Sequence, residues 1–82
     1  MLLTIISPEK TIFKGGGVQR VAVPGKKAPF VMLKNHAPII STLEKGDIVY
    51  AIDNVEHRVS INSGLVEVNK NNITICIEEN KK

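Results

Sequence analysis

Hydrophobic positions in this chain recur at intervals of two, in short runs cut off by Gly, Pro, Asn or Asp. Short runs rich in β-branched residues read as strands. Leu2-Leu3-Thr4-Ile5-Ile6 is the first, ended by Ser7-Pro8; Thr11-Ile12-Phe13 follows and stops at Gly15-Gly16-Gly17. Val21-Ala22-Val23 ends at Pro24-Gly25, a strong turn signal. Phe30-Val31-Met32-Leu33 and Ile39-Ile40-Ser41-Thr42-Leu43 flank a loop that holds Asn35, His36 and Pro38.

The second half is stricter. Ile48, Tyr50 and Ile52 share one parity, and Asp53-Asn54 follows as a two-residue turn. Val55, His57, Val59 and Ile61 then oppose Glu56, Arg58 and Ser60, which makes a hairpin by spacing and turn chemistry. Leu65-Val66-Glu67-Val68 leads through Asn69-Lys70-Asn71-Asn72 into Ile73-Thr74-Ile75-Cys76-Ile77. No window of about 11 residues carries a 3.6-residue period. The pattern predicts an all-β chain of about nine or ten short strands, closed into a sandwich or small barrel. It is organised as one domain over residues 1–79, followed by a short charged tail at 80–82.

Size and composition narrow the function. Eighty-two residues with 43% hydrophobic content make one folded domain, with little room for a deep solvent-excluding active site. No apolar run approaches the roughly 20 residues that cross a bilayer as a helix. "MLLTIISPEK" has neither a basic region nor a small-residue cleavage site, which argues against a secretory signal. Cys76 is the single cysteine, so no intrachain disulfide forms and a reducing compartment is expected. In its apolar run it reads as a packing residue. The net charge of +3 includes Lys81 and Lys82; elsewhere, signs alternate in stretches such as "EHR" and "LEKGD". That reads as a solvated surface, open to an acidic or phosphate-bearing partner without requiring one.

Catalytic chemistry finds little to use. Ser41 and Ser63 lack the G-x-S-x-G elbow and the strand-to-helix turn it needs. His36, His57 and Cys76 stand 21 and 19 residues apart, unlike the short ligand spacings of zinc sites. The triple glycine is followed by no Gly-Lys-Ser/Thr, so it reads as a bulge or hairpin tip and no nucleotide site is expected. Single-stranded nucleic-acid binding by a small basic barrel is the alternative, but it needs exposed aromatics among basic residues. Phe13, Phe30 and Tyr50 all lie on apolar strands, where core packing is the default.

One long pattern is informative: Val23-Pro24-Gly25, Phe30, Leu33, His36-Ala37-Pro38-Ile39-Ile40-Ser41, Leu43 and Gly46. It resembles the epsilon subunit of F-type ATP synthases, the delta subunit in mitochondria. "LLTIISPEKTIFKG" is similar to the family's opening strand pair, Ser63-Gly64-Leu65-Val66-Glu67-Val68 to its double-glycine, Val-Glu-Val segment, and "NNITICIEE" to its last strand. There are departures. Ala28 and Val31 stand where the family usually has Gly, Lys34-Asn35 where it has Pro-Gly, and Ser63 at the first of two glycines. The glycine run makes the Phe13-to-Pro24 segment one residue longer.

The resemblance implies a β-sandwich of about ten strands, without the family's C-terminal helical hairpin. Hairpin functions, inhibition of ATP hydrolysis and ATP binding, therefore do not carry over. It implies a non-catalytic rotor subunit that binds the gamma subunit and the ring of membrane c subunits, with no cofactor. Its place would be peripheral, on the cytoplasmic face of a bacterial cell membrane. Lys26, Lys27, Pro29, Lys34, Asn35 and His36 become candidate ring contacts, and Ser7, His36 and Ser41 candidate gamma contacts. In the family the position of Pro29 can be acidic and face a basic ring loop; here it is apolar and follows two lysines. Strands apolar on both parities, Leu2 to Ile6, Phe30 to Leu33 and Ile39-Ile40, predict an exposed apolar face for a permanent partner.

Overall fold

A computed structural model describes residues 1–79 and contains eight strands and no helix among them. They are β1 (Leu2–Ile6), β2 (Thr11–Gly15), β3 (Val18–Val23), β4 (Phe30–Leu33), β5 (Ile39–Leu43), β6 (Gly46–Ile52), β7 (Val55–Asn69) and β8 (Asn72–Glu79). The expected tail at 80–82 lies outside the described residues.

Alternation sets the architecture. The inward residues Leu3, Ile5, Ile48, Ile61, Val66, Ile73 and Ile75 are all shielded from solvent. With Val18, Val21, Val23, Met32, Leu43, Tyr50, Val68 and Ile77 they form one core. The hydrogen-bonded path runs β2-β1-β8-β7-β6-β3-β4, with β5 on β7. It folds on itself at β7, whose residues 55–61 pair with β6 while residues 64–68 pair with both β8 and β5. One layer is therefore β2-β1-β8-β7-β5 and the other β7-β6-β3-β4. The sandwich expected from the sequence is present, with fewer and longer strands. Val55 to Ile61 and Leu65 to Val68, read as separate, are one strand of 15 residues.

That strand stays continuous through its polar stretch because it bulges. The register with β8 shifts between Ile61 and Ser63, and the extra residue turns the strand from one layer into the other. Gly64 sits at the crossing, where a Cβ would stand 2.8 Å from the Cys76 carbonyl oxygen. Only glycine lets the two backbones approach this closely.

The two-residue turn expected at Asp53-Asn54 is present, and the connection expected over Asn69 to Asn72 tightens to a second two-residue turn, Lys70-Asn71. Asp53 and Asn54 have φ of 50° and 64°, and Lys70 and Asn71 have 51° and 62°, the positive values that suit the twist of tight hairpins. Asn35, with φ 65°, occupies the position of the glycine in the resembling Pro-Gly pair. Asn tolerates this region better than any other large residue type, so that departure preserves the backbone.

The aromatic rings close one flank. Phe13 lies 4.8 Å from Tyr50 between ring centroids, and Tyr50 lies 5.1 Å from His57, stacked at 21°. Burial pushes the Tyr50 phenol above its ordinary value of 10.0. Because the fold disfavours the phenolate, the associated stability is complete below about pH 10 and is lost as pH rises past it. Tyr50 is the single tyrosine, so phenolate absorbance should show a midpoint above that of the unfolded chain. A midpoint at or below the unfolded value would contradict the burial. Ile75→Ala, at the centre of the core, should cost about 2–5 kcal/mol in urea unfolding.

Candidate functional site

The strand pairings carry outward residues into rows across the β2-β1-β8-β7-β5 layer. Ile6 pairs with Cys76, Cys76 with Leu65, and Leu65 with Thr42. The next row runs Lys14, Thr4, Thr74, Glu67, Ile40. The first row is uncharged. Leu65 and Ile40 are 42% and 69% exposed on a face that no other described residue covers. The parity that buries Ile73, Ile75 and Ile77 turns Cys76 outward. It is therefore not the packing residue expected from its apolar run.

At the end of that row, where β7 bulges, an open groove of about 750 Å³ lies among Ile6, Ser7, Pro8, Thr42, Leu65 and Cys76. Lys26, Glu44 and Lys45 also line it. Ser7 sits in it, half-buried, with its hydroxyl held in the β1–β2 turn: it accepts from the Lys10 N–H at 3.3 Å and donates to the Lys10 carbonyl. Ser41 belongs to the inward parity of β5, half-buried, and its hydroxyl donates to the Thr42 carbonyl at 3.3 Å. The outward neighbours of Ser41 are Ile40 and Thr42.

The remaining sequence candidates lie along the flank formed by β4 and β5, each an edge strand of its layer. The Lys26 N–H donates to the Thr42 carbonyl (3.0 Å), and the Glu44 N–H to the Pro24 carbonyl (2.9 Å), which ties the Pro24–Pro29 loop to the end of β5. Gly25 packs under that loop; a Cβ there would stand 2.5 Å from the Ala28 oxygen. Lys26, Lys27 and Pro29 are exposed and border a shallow hollow with Phe30, Ile40 and Ser41. Lys34, Asn35 and His36 come after β4, at its far end. Two amide bonds fix that turn to the β7–β8 turn. The Asn35 N–H donates to Asn71 Oδ1 at 2.6 Å, and Asn71 Nδ2 donates to Asn35 Oδ1 at 3.1 Å. The His36 ring is half-buried, with Nδ1 2.8 Å from the Ala37 carbonyl and the Phe30 ring 6.5 Å away. One flank thus holds all six ring candidates, in two groups that β4 separates by about 13 Å of strand.

Chemistry outside this flank is sparse. His57 is on the aromatic flank and Cys76 on the outer face, so neither meets His36, and no cluster of metal-ligating residues occurs among the described residues. Phe13 and Phe30 pack against the core and Tyr50 lies within it, so they form no exposed stacking platform for bases.

The β-sandwich domain of the ATP synthase delta/epsilon chain matches residues 1–81 of this sequence. The chain belongs to that family. It is 41% identical over 78 residues to the ATP synthase epsilon chain of Symbiobacterium thermophilum, covering 95% of this chain and 56% of that protein. The epsilon chain of Maricaulis maris is 40% identical over 75 residues, covering 92% and 56%. The chain thus spans a little over half the length of these relatives. Its fold is similar to a chain of the Euglena gracilis mitochondrial ATP synthase structure with OSCP, F1 and c-ring, at TM-score 0.90 and 18% identity, covering 96% of this chain and 51% of that one. The Tetrahymena thermophila central stalk and c-ring structure gives 0.82 at 20% identity, covering 96% and 63%. These similarities establish the epsilon-type β-sandwich.

Within that epsilon-type domain, sequence reasoning missed Ile6, Thr42, Leu65 and Cys76. They become one row only through the parallel β1–β8 pairing, which no local pattern announces. It also misread the charges. From Lys10 to Leu43 there is no Asp or Glu, only Lys10, Lys14, Arg20, Lys26, Lys27 and Lys34. The signs alternate locally after that stretch, not through it.

The amide clamp is separable from the rest of the fold. Asn71→Gly keeps the positive φ and removes the side chain, so it should cost about 1 kcal/mol of stability. It should also speed hydrogen exchange at the Asn35 amide, while exchange in β8 stays at its original rate.

Proposed function

We propose that this chain is the β-sandwich of a non-catalytic rotor subunit in an F-type ATP synthase. In this reading it binds gamma through the uncharged row on the outer face of the β2-β1-β8-β7-β5 layer, and the c-ring through the β4–β5 flank. It rotates with both and helps couple ion flow through the ring to ATP synthesis on other subunits. It is peripheral, on the cytoplasmic face of a bacterial cell membrane.

The observation that carries this reading is the Ile6–Cys76–Leu65–Thr42 row with its adjoining groove. A protein interface needs a desolvated centre depleted of charge, bordered by polar groups, on a scaffold that does not deform. The row supplies the centre; Lys26, Glu44 and Lys45 supply the border. Torque transmission asks for stiffness, which a core drawn from both layers provides. Ser7 lies in the groove and fits the gamma side. His36 and Ser41 lie toward the β4–β5 flank, where the two proposed interfaces would adjoin.

The tagged chain, recovered from solubilised membranes, should bring gamma with it in stoichiometric amount and hydrolyse no ATP by itself. Leu65→Glu, at an exposed position, should leave the unfolding midpoint unchanged while weakening gamma capture at least tenfold, or about 1.4 kcal/mol. Absence of gamma from the recovered complex would end this reading.

A further inference from the structure

Strand β4 and the loops at its two ends, residues 24–38, carry charge of one sign only. Lys26 and Lys27 stand at one end of β4 and Lys34 at the other, all exposed, inside the stretch that holds no acid. Among the described residues the ion pairs are Arg20–Glu56 at 2.6 Å and Arg58–Asp47 at 3.3 Å. None of the three lysines has a carboxylate of a described residue within ion-pair distance. Of the nearby acids, Asp47 is held by Arg58 and by the Ser60 hydroxyl at 2.9 Å, Glu44 lines the groove beside Lys26 without an ion pair among the described residues, and Glu67 lies beside Ile40 on the outer face of the β2-β1-β8-β7-β5 layer.

The flank is also pre-organised. Two backbone hydrogen bonds pin the Pro24–Pro29 loop to β5, and the paired Asn35 and Asn71 amides pin the Lys34 turn. Between the lysines lie exposed aliphatic groups, Val31 at 49% and Leu33 at 56%. Fixed cations interleaved with small apolar side chains match fixed anions on a folded partner. A bilayer surface would be met better by mobile lysines with interfacial Trp or Tyr. The chain has no Trp, its one Tyr is in the core, and Phe30 packs inward.

We propose that the β4–β5 flank docks on a carboxylate-bearing protein loop, and specifically that the c-ring loop facing this chain presents Asp or Glu to Lys26, Lys27 and Lys34. The inference rests on the rotor reading for the identity of that partner. It adds the partner's chemistry: acidic side chains on the ring, basic ones here. The contact is then steered and registered by charge, with Val31 and Leu33 as the apolar filling.

The test uses the assembled complex. Zero-length carbodiimide coupling should join a lysine among Lys26, Lys27 and Lys34 to a ring carboxylate, located by mass spectrometry of the cross-linked peptide. The double variant Lys27→Glu/Lys34→Glu should lose ring binding at least tenfold at low salt and keep gamma capture. Lys27→Arg/Lys34→Arg should keep both. Ring binding by the original chain should weaken as salt rises, while gamma capture through the uncharged row changes little. If charge reversal and salt leave ring binding untouched while gamma is still captured, the inference is wrong and the rotor reading stands. If neither gamma nor the ring is recovered with the original chain, the rotor reading itself fails. If the isolated chain binds vesicles containing phosphatidylglycerol, loses them on charge reversal, and gives no ring cross-link, then a lipid headgroup is the occupant and the proposal is overturned.

Discussion

One backbone approach organises this molecule: β7 crossing β8 at Gly64, with the Cys76 carbonyl oxygen 2.8 Å from where a side chain would begin. An isolated flat sheet of eight strands would leave one face of every strand in water. The bulge between Ile61 and Ser63 lets a single strand serve both layers, so that the two apolar faces meet. Ile61, wholly buried, sits at that junction. Small domains have few interior residues to spare, and here those of both layers enter one core. The groove and the uncharged row lie beside the same crossing, so the feature that closes the core also shapes the candidate interface.

The local pattern made much of this visible. Alternation placed Phe30–Leu33 and Ile39–Leu43 with the right bounds, because Pro29 and Pro38 cut those runs sharply. Asp53-Asn54 was legible as a turn because few other residue types accept positive φ at two successive positions, whereas Lys70 holds a positive φ that its residue type does not announce. The continuity of β7 was hidden for a physical reason. Asn62, Ser63 and Gly64 have the composition of a loop, and the strand runs through them because Asn62 is the bulge residue, Ser63 pairs with β8, and Gly64 pairs with β8 on one side and β5 on the other. The same holds for Asn72, Glu78 and Glu79, polar residues that extend β8 because their backbones are paired.

The candidate site divides along a similar line. The ring candidates were found from a motif and fall on one flank, since they are near in sequence and β4 is short. The outer-face row could not be found that way. Ile6, Thr42, Leu65 and Cys76 come from four strands whose adjacency depends on one parallel and two antiparallel registers. A one-residue slip in any of them would send the row inward. Cys76 shows the cost of reading composition without register: an apolar neighbourhood in sequence became an exposed thiol in space.

Charge adds a constraint that packing does not supply. Every acid after Glu9 comes at or beyond Glu44, so strands β2 to β5 carry only positive charge while β6 to β8 hold the carboxylates. Among the described residues Arg20 is the one cation of the first group that pairs with an acid, Glu56, and it does so across Ala51, which is fully buried on the strand between them. The other cations keep their hydration in the free chain. Exposed pairs contribute little to stability, so leaving these lysines unpaired costs the fold almost nothing. What it leaves is a field of one sign along β4 and its two loops, set apart from an uncharged row on the outer layer. Two surfaces of different chemistry on one rigid body are what an adaptor between two unlike partners requires, and burial and charge assign them independently.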